Sequence, residues 1–164
     1  MLRYLFCNLQ VSDWIDIISL AINSALAVWI VITIQNNLNN RRVLKDHFIN
    51  EVKNCRGEYK DFLSRLSSHH VKPKSIAPWF KLMNIKVTDL MSLLHQKYKV
   101  DKNCLEAYQV ELRMLVTEFD EFVSSYKTNS EIKLKEESLS KIIKFQQNNN
   151  CIFNKIIIKI PLNN

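Results

Sequence analysis

A 21-residue apolar stretch near the N-terminus limits the possible folds of this 164-residue chain more than any other feature. Residues 14–34 read WIDIISLAINSALAVWIVITI, with Asp16 as their one charged side chain. As a helix rising ~1.5 Å per residue, the stretch would extend over ~32 Å, about the thickness of the hydrocarbon core of a bilayer. We therefore predict a transmembrane helix over residues 14–34. The alternatives are a buried core helix and a cleaved signal peptide, for which the apolar run is too long.

The basic residues that flank this stretch predict its orientation. Arg3 precedes it, whereas Arg41, Arg42 and Lys45 follow it after the polar run QNNLNN. Basic residues stay preferentially in the cytoplasm, and they attract anionic lipid headgroups. We expect the N-terminus outside and the chain from residue 35 onward in the cytoplasm. Asn, Lys and Ile, which have AT-rich codons, are abundant, and this favours an AT-rich bacterial gene. In a bacterium, the membrane of this orientation would be the inner membrane.

One face of the predicted membrane helix carries small and polar residues. Asp16, Ser19, Asn23 and Ala27 recur at intervals of three or four, so they share a helical face. Small residues let two helix backbones approach, and an amide in lipid seeks a hydrogen-bond partner. The pattern predicts association with a second copy or a partner helix. A helix that lines a water-filled pore is a further alternative.

The rest of the chain is predicted to be helical, because one Gly and three Pro leave few tight turns for sheets. After the basic residues, apolar residues recur at alternating intervals of four and three, the spacing of a coiled-coil seam. We therefore expect the membrane helix to continue as a long amphipathic helix. The segment SSHHVKPK, residues 67–74, is expected to end it. Gly57 inside it suggests a close helix contact. The seam consists of Phe48, Val52, Cys55, Tyr59, Phe62 and Leu66.

Three further helices are predicted, over residues 77–98, 101–126 and 130–147. Pro78 suits the first turn of the first one, and Asp101 is a plausible N-cap for the second. Short connections between helices favour an antiparallel bundle of three or four helices. The second helix has an acidic outer face, formed by Glu106, Glu111, Glu118, Asp120 and Glu121.

The predicted organisation has four parts. Residues 1–13 form a short extracytoplasmic N-terminus, residues 14–34 the transmembrane helix, residues 35–147 the cytoplasmic bundle and residues 148–164 a C-terminal tail. In the tail, NNN is interpreted as a linker and KIIIKI as strand-like or adhesive. Packing of this tail on the bundle is the default expectation.

The common signatures of catalysis and metal binding are missing from the sequence. Phosphate-binding glycine loops and nucleophile elbows need more than one Gly, and no HExxH or di-iron ExxH pair occurs. The four cysteines are far apart, so neither a zinc site nor a disulfide framework is expected, and Cys55 and Cys104 are predicted to pack as small apolar residues. We expect no cofactor and no metal. No small-molecule substrate is evident, and the alternation of basic and acidic segments makes nucleic acid an unlikely partner.

One short motif suggests a catalytic activity. Arg65 and His70, in RLSSHH, resemble the R-x4–6-H motif of the HEPN ribonucleases, which are also helical bundles. The resemblance implies that Arg65 holds a phosphate and that His70 moves a proton from a 2′-hydroxyl group. It covers six residues, and Leu66 stands where those enzymes usually have a polar residue. The alternative is that these are solvated residues at a helix end.

These observations predict a non-enzymatic, single-pass membrane protein whose helical bundle self-associates or binds a protein partner at the cytoplasmic face. Small anchored bundles of this architecture serve as membrane-acting effectors or scaffolds in bacterial defence and toxin cassettes, which is an analogy of architecture. A pore-forming effector and a membrane-tethered ribonuclease are the two alternatives.

Overall fold

The computed structural model describes residues 11–162, and it describes side chains from residue 14 to residue 160. This part of the chain is helical without strands, as the composition predicted. The described residues divide into two compact units, with the boundary between Leu44 and Lys45. The helices are α1 (Val11–Ser67), α2 (Pro73–Tyr98), α3 (Glu106–Thr117), α4 (Asp120–Thr128), α5 (Glu136–Asn149) and α6 (Cys151–Leu162).

Helix α1 confirms that the apolar stretch continues without interruption into an amphipathic helix. It has 57 residues and ends at Ser67, at the start of the predicted terminating segment. All six seam residues from Phe48 to Leu66 are buried, and Val52, Cys55 and Leu66 have no exposed surface. A repeat of four and three residues therefore marked the core-facing side of this helix correctly.

Gly57 does not mark a close helix contact, and that interpretation of the sequence is wrong. The residue is exposed, and a Cβ atom placed on it would meet no atom within 4 Å. Its neighbours Cys55 and Tyr59 face the core, so Gly57 lies on the solvent side of the helix.

Replacing Gly57 with Ala is expected to stabilise the protein. Glycine inside a helix costs about 1 kcal/mol relative to alanine, and here no contact opposes the added methyl group. Thermal unfolding of the Gly57→Ala chain in detergent should show a higher midpoint than the original chain. Lys53→Ala, at another exposed position of α1, is the control and should change the midpoint little; a lower midpoint for Gly57→Ala would contradict the prediction.

His69 terminates α1. Its backbone adopts a positive φ of 62°, and the amide of His70 donates to the Arg65 carbonyl oxygen at 2.9 Å, as in a Schellman motif. The half-buried ring of His69 lies against the segment between α4 and α5. Its Nδ1 is 3.2 Å from the Ile132 carbonyl oxygen and 3.3 Å from the Leu134 amide nitrogen.

Helix α2 begins four residues earlier than the predicted start at residue 77. Pro73 occupies its first turn, where a missing amide hydrogen costs nothing, while Pro78 lies inside the helix. The helix ends at Tyr98, as predicted. The buried face comprises Phe80, Met83, Val87, Leu90, Leu94 and Tyr98.

The predicted helix over residues 101–126 is in fact two helices, α3 and α4. Asp101 is not an N-cap, because its carboxylate accepts the amide hydrogen of Asn103 in a turn, and α3 begins only at Glu106. Phe119 then adopts an extended backbone and buries its ring, which separates α3 from α4. The break changes the helical register, so Glu121 faces inward rather than outward, while Tyr126 is half exposed.

Glu121 is a buried carboxylate that links α4 to the start of α5. It accepts hydrogen bonds from the Lys135 amide at 2.9 Å and from the Ser138 hydroxyl at 3.0 Å. Burial alone would raise the pKa of Glu121, but the hydrogen bonds from Lys135 and Ser138 outweigh burial and hold that pKa below its ordinary value. The carboxylate therefore ties the start of α5 to α4.

Stability is expected to fall as the pH falls through the ordinary range of a glutamate, because Glu121 has a lower pKa in the folded state than in the unfolded state. The unfolded chain takes up the proton first, so the contribution of Glu121 is fully present above the unfolded pKa and is lost as the pH falls through the folded pKa. Thermal unfolding of the original chain and of Glu121→Gln from neutral pH to about pH 3 checks this. The variant should be less stable at pH 7 and should lose less stability on acidification; parallel pH profiles would contradict the prediction.

The last two helices differ from the expected helix over residues 130–147 and the tail that follows it. Residues 129–135 are not helical, and Ile132 and Leu134 in this segment are buried. The Ile132 amide donates to the Val71 carbonyl oxygen at 3.0 Å. Asn148 and Asn149 end α5 rather than forming a linker. KIIIKI is helical in α6, so its interpretation as a strand is wrong. The expected packing of the tail on the bundle agrees with the burial of Ile156 and Ile160.

Aromatic rings connect the helices of the second unit. Tyr59 of α1 makes edge-to-face contacts with Trp79 of α2 and Tyr108 of α3, at centroid distances of 5.6 and 5.0 Å. Tyr108 also contacts Phe145 of α5 and Phe153 of α6, at 5.1 and 5.4 Å. Because these rings come from five helices, the second unit has one shared apolar core.

Candidate functional site

The apolar stretch of α1 exposes its side chains instead of burying them in this chain. Leu20 is 69% exposed and Trp29 is 64% exposed, and none of the most apolar 18-residue window is buried. The helix is long and apolar enough to cross a membrane. A continuous apolar surface of this size marks a contact with lipid or with another protein, because water disfavours it. The alternative of a core helix therefore has no support in the described part of the chain.

The four residues of the predicted association face lie on this exposed part of α1. Asp16, Ser19, Asn23 and Ala27 are all exposed, and the helical backbone places them within one strip of the surface. Thr33 satisfies its hydroxyl group locally, by donating to the Trp29 carbonyl oxygen at 2.8 Å. Among the hydrogen bonds of the described residues, none involves the Asn23 side chain. Its carboxamide is therefore available to a group outside the chain.

Three basic residues follow the apolar stretch on the same helix. Arg41 and Arg42 are exposed and Lys45 is half-buried. No acidic residue occurs between Asp16 and Asp46 in the sequence, and the ion pairs of the described residues are Lys86–Glu58 and Lys141–Glu137. Within the described residues no carboxylate forms an ion pair with these three basic side chains, which suits them to anionic headgroups.

Arg65 and His70, the pair that resembles the ribonuclease motif, lie at the end of α1 and just beyond it. Both side chains are exposed, and a backbone hydrogen bond joins the two residues. The neighbouring His69 serves the packing of residues 129–135. A catalytic role for Arg65 and His70 stays a prediction.

The described thiols occupy three different environments. Burial raises the pKa of the Cys55 thiol to about 12, with a further contribution from the Glu58 carboxylate, and burial also raises the pKa of Cys104. Cys151 is exposed. Cys55 packs as the small apolar residue that was predicted, whereas Cys104 is half-buried. Within residues 11–162, no group of three or more His, Cys, Asp or Glu side chains is arranged to hold a metal ion.

The functional interpretation rests on the chain itself. Comparison with protein-family models, with curated proteins and with solved structures finds no match.

Proposed function

We propose that this protein is a single-pass membrane protein of the bacterial inner membrane, with residues 14–34 across the bilayer and residues 35–164 in the cytoplasm. The exposed 21-residue apolar part of α1 is the observation that carries the proposal. The exposed basic side chains of Arg41 and Arg42 support the orientation, because basic residues are retained on the cytoplasmic side.

The cytoplasmic part acts in this proposal as an antiparallel helical bundle without enzymatic activity. The connection between α1 and α2 spans only residues 68–72, and Phe62 of α1 stacks on Trp79 of α2 with centroids 4.0 Å apart, which supports an antiparallel pair. The bundle binds a protein partner or a second copy at the membrane surface. By analogy of architecture, such a protein serves as a scaffold or effector in a defence or toxin cassette.

Self-association in the bilayer is assigned to the face formed by Asp16, Ser19, Asn23 and Ala27. A carboxamide in hydrocarbon stabilises a helix pair by about 1 kcal/mol, because it finds its hydrogen-bond partner there. The same exposed polar strip favours a second candidate function, a pore, in which several copies turn the strip towards water.

Replacing Asn23 with Leu is expected to weaken the oligomer about fivefold, the equivalent of about 1 kcal/mol. Crosslinking of the full chain in mild detergent, over a range of protein concentrations, measures the dissociation. Ile22→Leu is the control, since Ile22 neighbours Asn23 but lies off the polar face.

Three outcomes of this experiment are informative. A weaker oligomer for Asn23→Leu alone supports the assigned face. The same oligomer distribution in all three chains would show that the face does not mediate association. If the original chain also depolarises membranes and Asn23→Leu does not, the pore is the correct function.

A further inference from the structure

A groove lined by both polar and apolar side chains lies in the second unit where α1, α3, α5 and α6 meet. Its volume is about 270 Å³, and its inner wall includes the buried rings of Tyr108 and Phe153. Two cations and four carboxamides line the groove, and among the described residues no carboxylate lines it. These six residues are Arg56, Lys60, Gln146, Gln147, Asn149 and Asn150.

Arg56 is held in place by neutral partners. Its guanidinium group donates to the Asn154 side-chain oxygen at 3.1 Å and to the side-chain oxygen of Asn150. A guanidinium group has five donor hydrogens, so these two bonds orient it and leave donors over. Because amide oxygens carry no net charge, the positive charge of Arg56 is positioned but not neutralised.

Lys60 adds a second positive charge one helical turn away. Like charges four residues apart on a helix repel each other weakly, and an anion bound between them would relieve this repulsion. In a neighbouring hollow the positive charge is instead neutralised by carboxylates of the chain. There Lys86 pairs with Glu58, and Asp61 also lines the wall. Neither Arg56 nor Lys60 takes part in an ion pair within the described residues.

We propose that this groove binds a small ligand that carries a phosphate group. Arg56 and Lys60 contact the phosphate oxygens, for which the planar guanidinium is well suited, and the carboxamides of Gln146 and Gln147 hydrogen-bond to the remainder of the ligand. The volume is slightly below the range of drug-sized sites, so the ligand is no larger than a mononucleotide or a lipid headgroup. The site lies beyond the membrane function proposed above and does not depend on it.

Calorimetric titration of the full chain in detergent with adenosine monophosphate, and separately with short-chain phosphatidic acid, tests the proposal. Binding should weaken as the ionic strength rises. Arg56→Gln should weaken it at least about tenfold, because it removes hydrogen bonds to a charged group. Lys60→Gln should also weaken binding. Because Lys60 is exposed and makes no hydrogen bond in the described part of the chain, this variant leaves the contacts of Arg56 intact. Arg113→Gln, an exposed arginine on α3 outside the groove, is the control and should not change binding.

The two probes distinguish the source of the phosphate. Binding of adenosine monophosphate that depends on Arg56 supports a free metabolite, and binding of phosphatidic acid alone, with the same dependence, supports a lipid headgroup. Binding of neither probe, or equal binding by the original chain, Arg56→Gln and Lys60→Gln, would overturn the proposal.

Discussion

Two aspartates placed in the apolar part of α1, Leu20→Asp with Val28→Asp, are expected to remove the protein from the membrane fraction. Each replaces a favourable residue with a charge that costs about 3 kcal/mol in the middle of a membrane helix, so the pair costs about 6 kcal/mol. Asp is chosen rather than Lys or Arg because it leaves the basic residues that set the orientation unchanged. Fractionation of cells that express the two chains, followed by carbonate extraction of the membranes, measures the effect.

The chain provides a closely matched control for this experiment. Leu82 and Ile85 of α2 are 68% and 60% exposed, against 69% and 58% for Leu20 and Val28. If exposure of apolar residues alone determined the behaviour, Leu82→Asp with Ile85→Asp would have the same effect. We expect this control to remain in the membrane fraction. Membrane recovery of the Leu20→Asp, Val28→Asp chain at the level of the original would contradict a transmembrane α1.

Truncation of Phe62 to Ala is expected to have the largest effect on the stability of the second unit, about 3–5 kcal/mol. Phe62 is 4% exposed, stacks on Trp79 with an interplanar angle of 12° and meets the edge of Phe80 at 5.5 Å. Removing the ring leaves a cavity between α1 and α2. Thermal or chemical unfolding in detergent, followed by the near-ultraviolet signal of the aromatic residues, measures the loss.

Tyr126→Ala is the matched control for the truncation. Tyr126 is an aromatic residue of α4 that is 50% exposed and contacts the ring of Phe122 at 5.7 Å. Its loss should cost about 1 kcal/mol or less. Equal destabilisation by the two substitutions would show that the stack of Phe62 on Trp79 is not part of the core.

The sequence predicted α1 and α2 well because each carries an uninterrupted periodic stripe. From Phe48 to Leu66 the spacing never departs from three or four residues, and every member of the stripe is buried. Long periodic helices are determined by one strong signal, since a change of register would expose several large side chains together. The end of α1 was also predictable, from the polar and proline-containing run that follows it.

The break between α3 and α4 was not predictable from such a stripe. Leu112 and Phe119 continue the helical spacing, yet the backbone becomes extended at Phe119 so that its ring can enter the core. The resulting shift of register turns Glu121 inward, where distant groups on Lys135 and Ser138 compensate its burial. Pairing over that sequence distance is a tertiary effect, and local periodicity does not report it.

Two sequence patterns in the last third of the chain do indicate the observed structure. EIKLK, residues 131–135, alternates strictly between polar and apolar residues, the pattern of an extended segment with one buried side. In α6, Phe153, Ile156 and Ile160 are spaced by three and four residues, which is a helical pattern despite the β-branched composition. Burial of these three side chains outweighs the low intrinsic helix propensity of isoleucine.

The candidate sites differ in the same way. The proposed membrane segment and its polar face are local features of α1, so the sequence displays them directly. The groove proposed to bind phosphate includes Arg56, whose partners Asn150 and Asn154 are more than ninety positions away, and only the fold brings these side chains together. Neutral carboxamides also have no motif by which a sequence search would recognise them.

The most direct test of the transmembrane orientation is the labelling of single cysteines in spheroplasts of bacteria that express the chain. A membrane-impermeant maleimide reacts with exposed thiols. Burial with a raised pKa protects Cys55, and the half-buried Cys104 is replaced by Ser in both chains. The Cys7→Ser chain then reports on the exposed Cys151, and the Cys151→Ser chain reports on Cys7, which lies outside the described residues.

We predict that Cys7 is labelled in intact spheroplasts and that Cys151 is labelled only after the membrane is permeabilised. Labelling of Cys151 in intact spheroplasts, or equal labelling of both cysteines before and after permeabilisation, would contradict a single-pass protein with its helical domain in the cytoplasm.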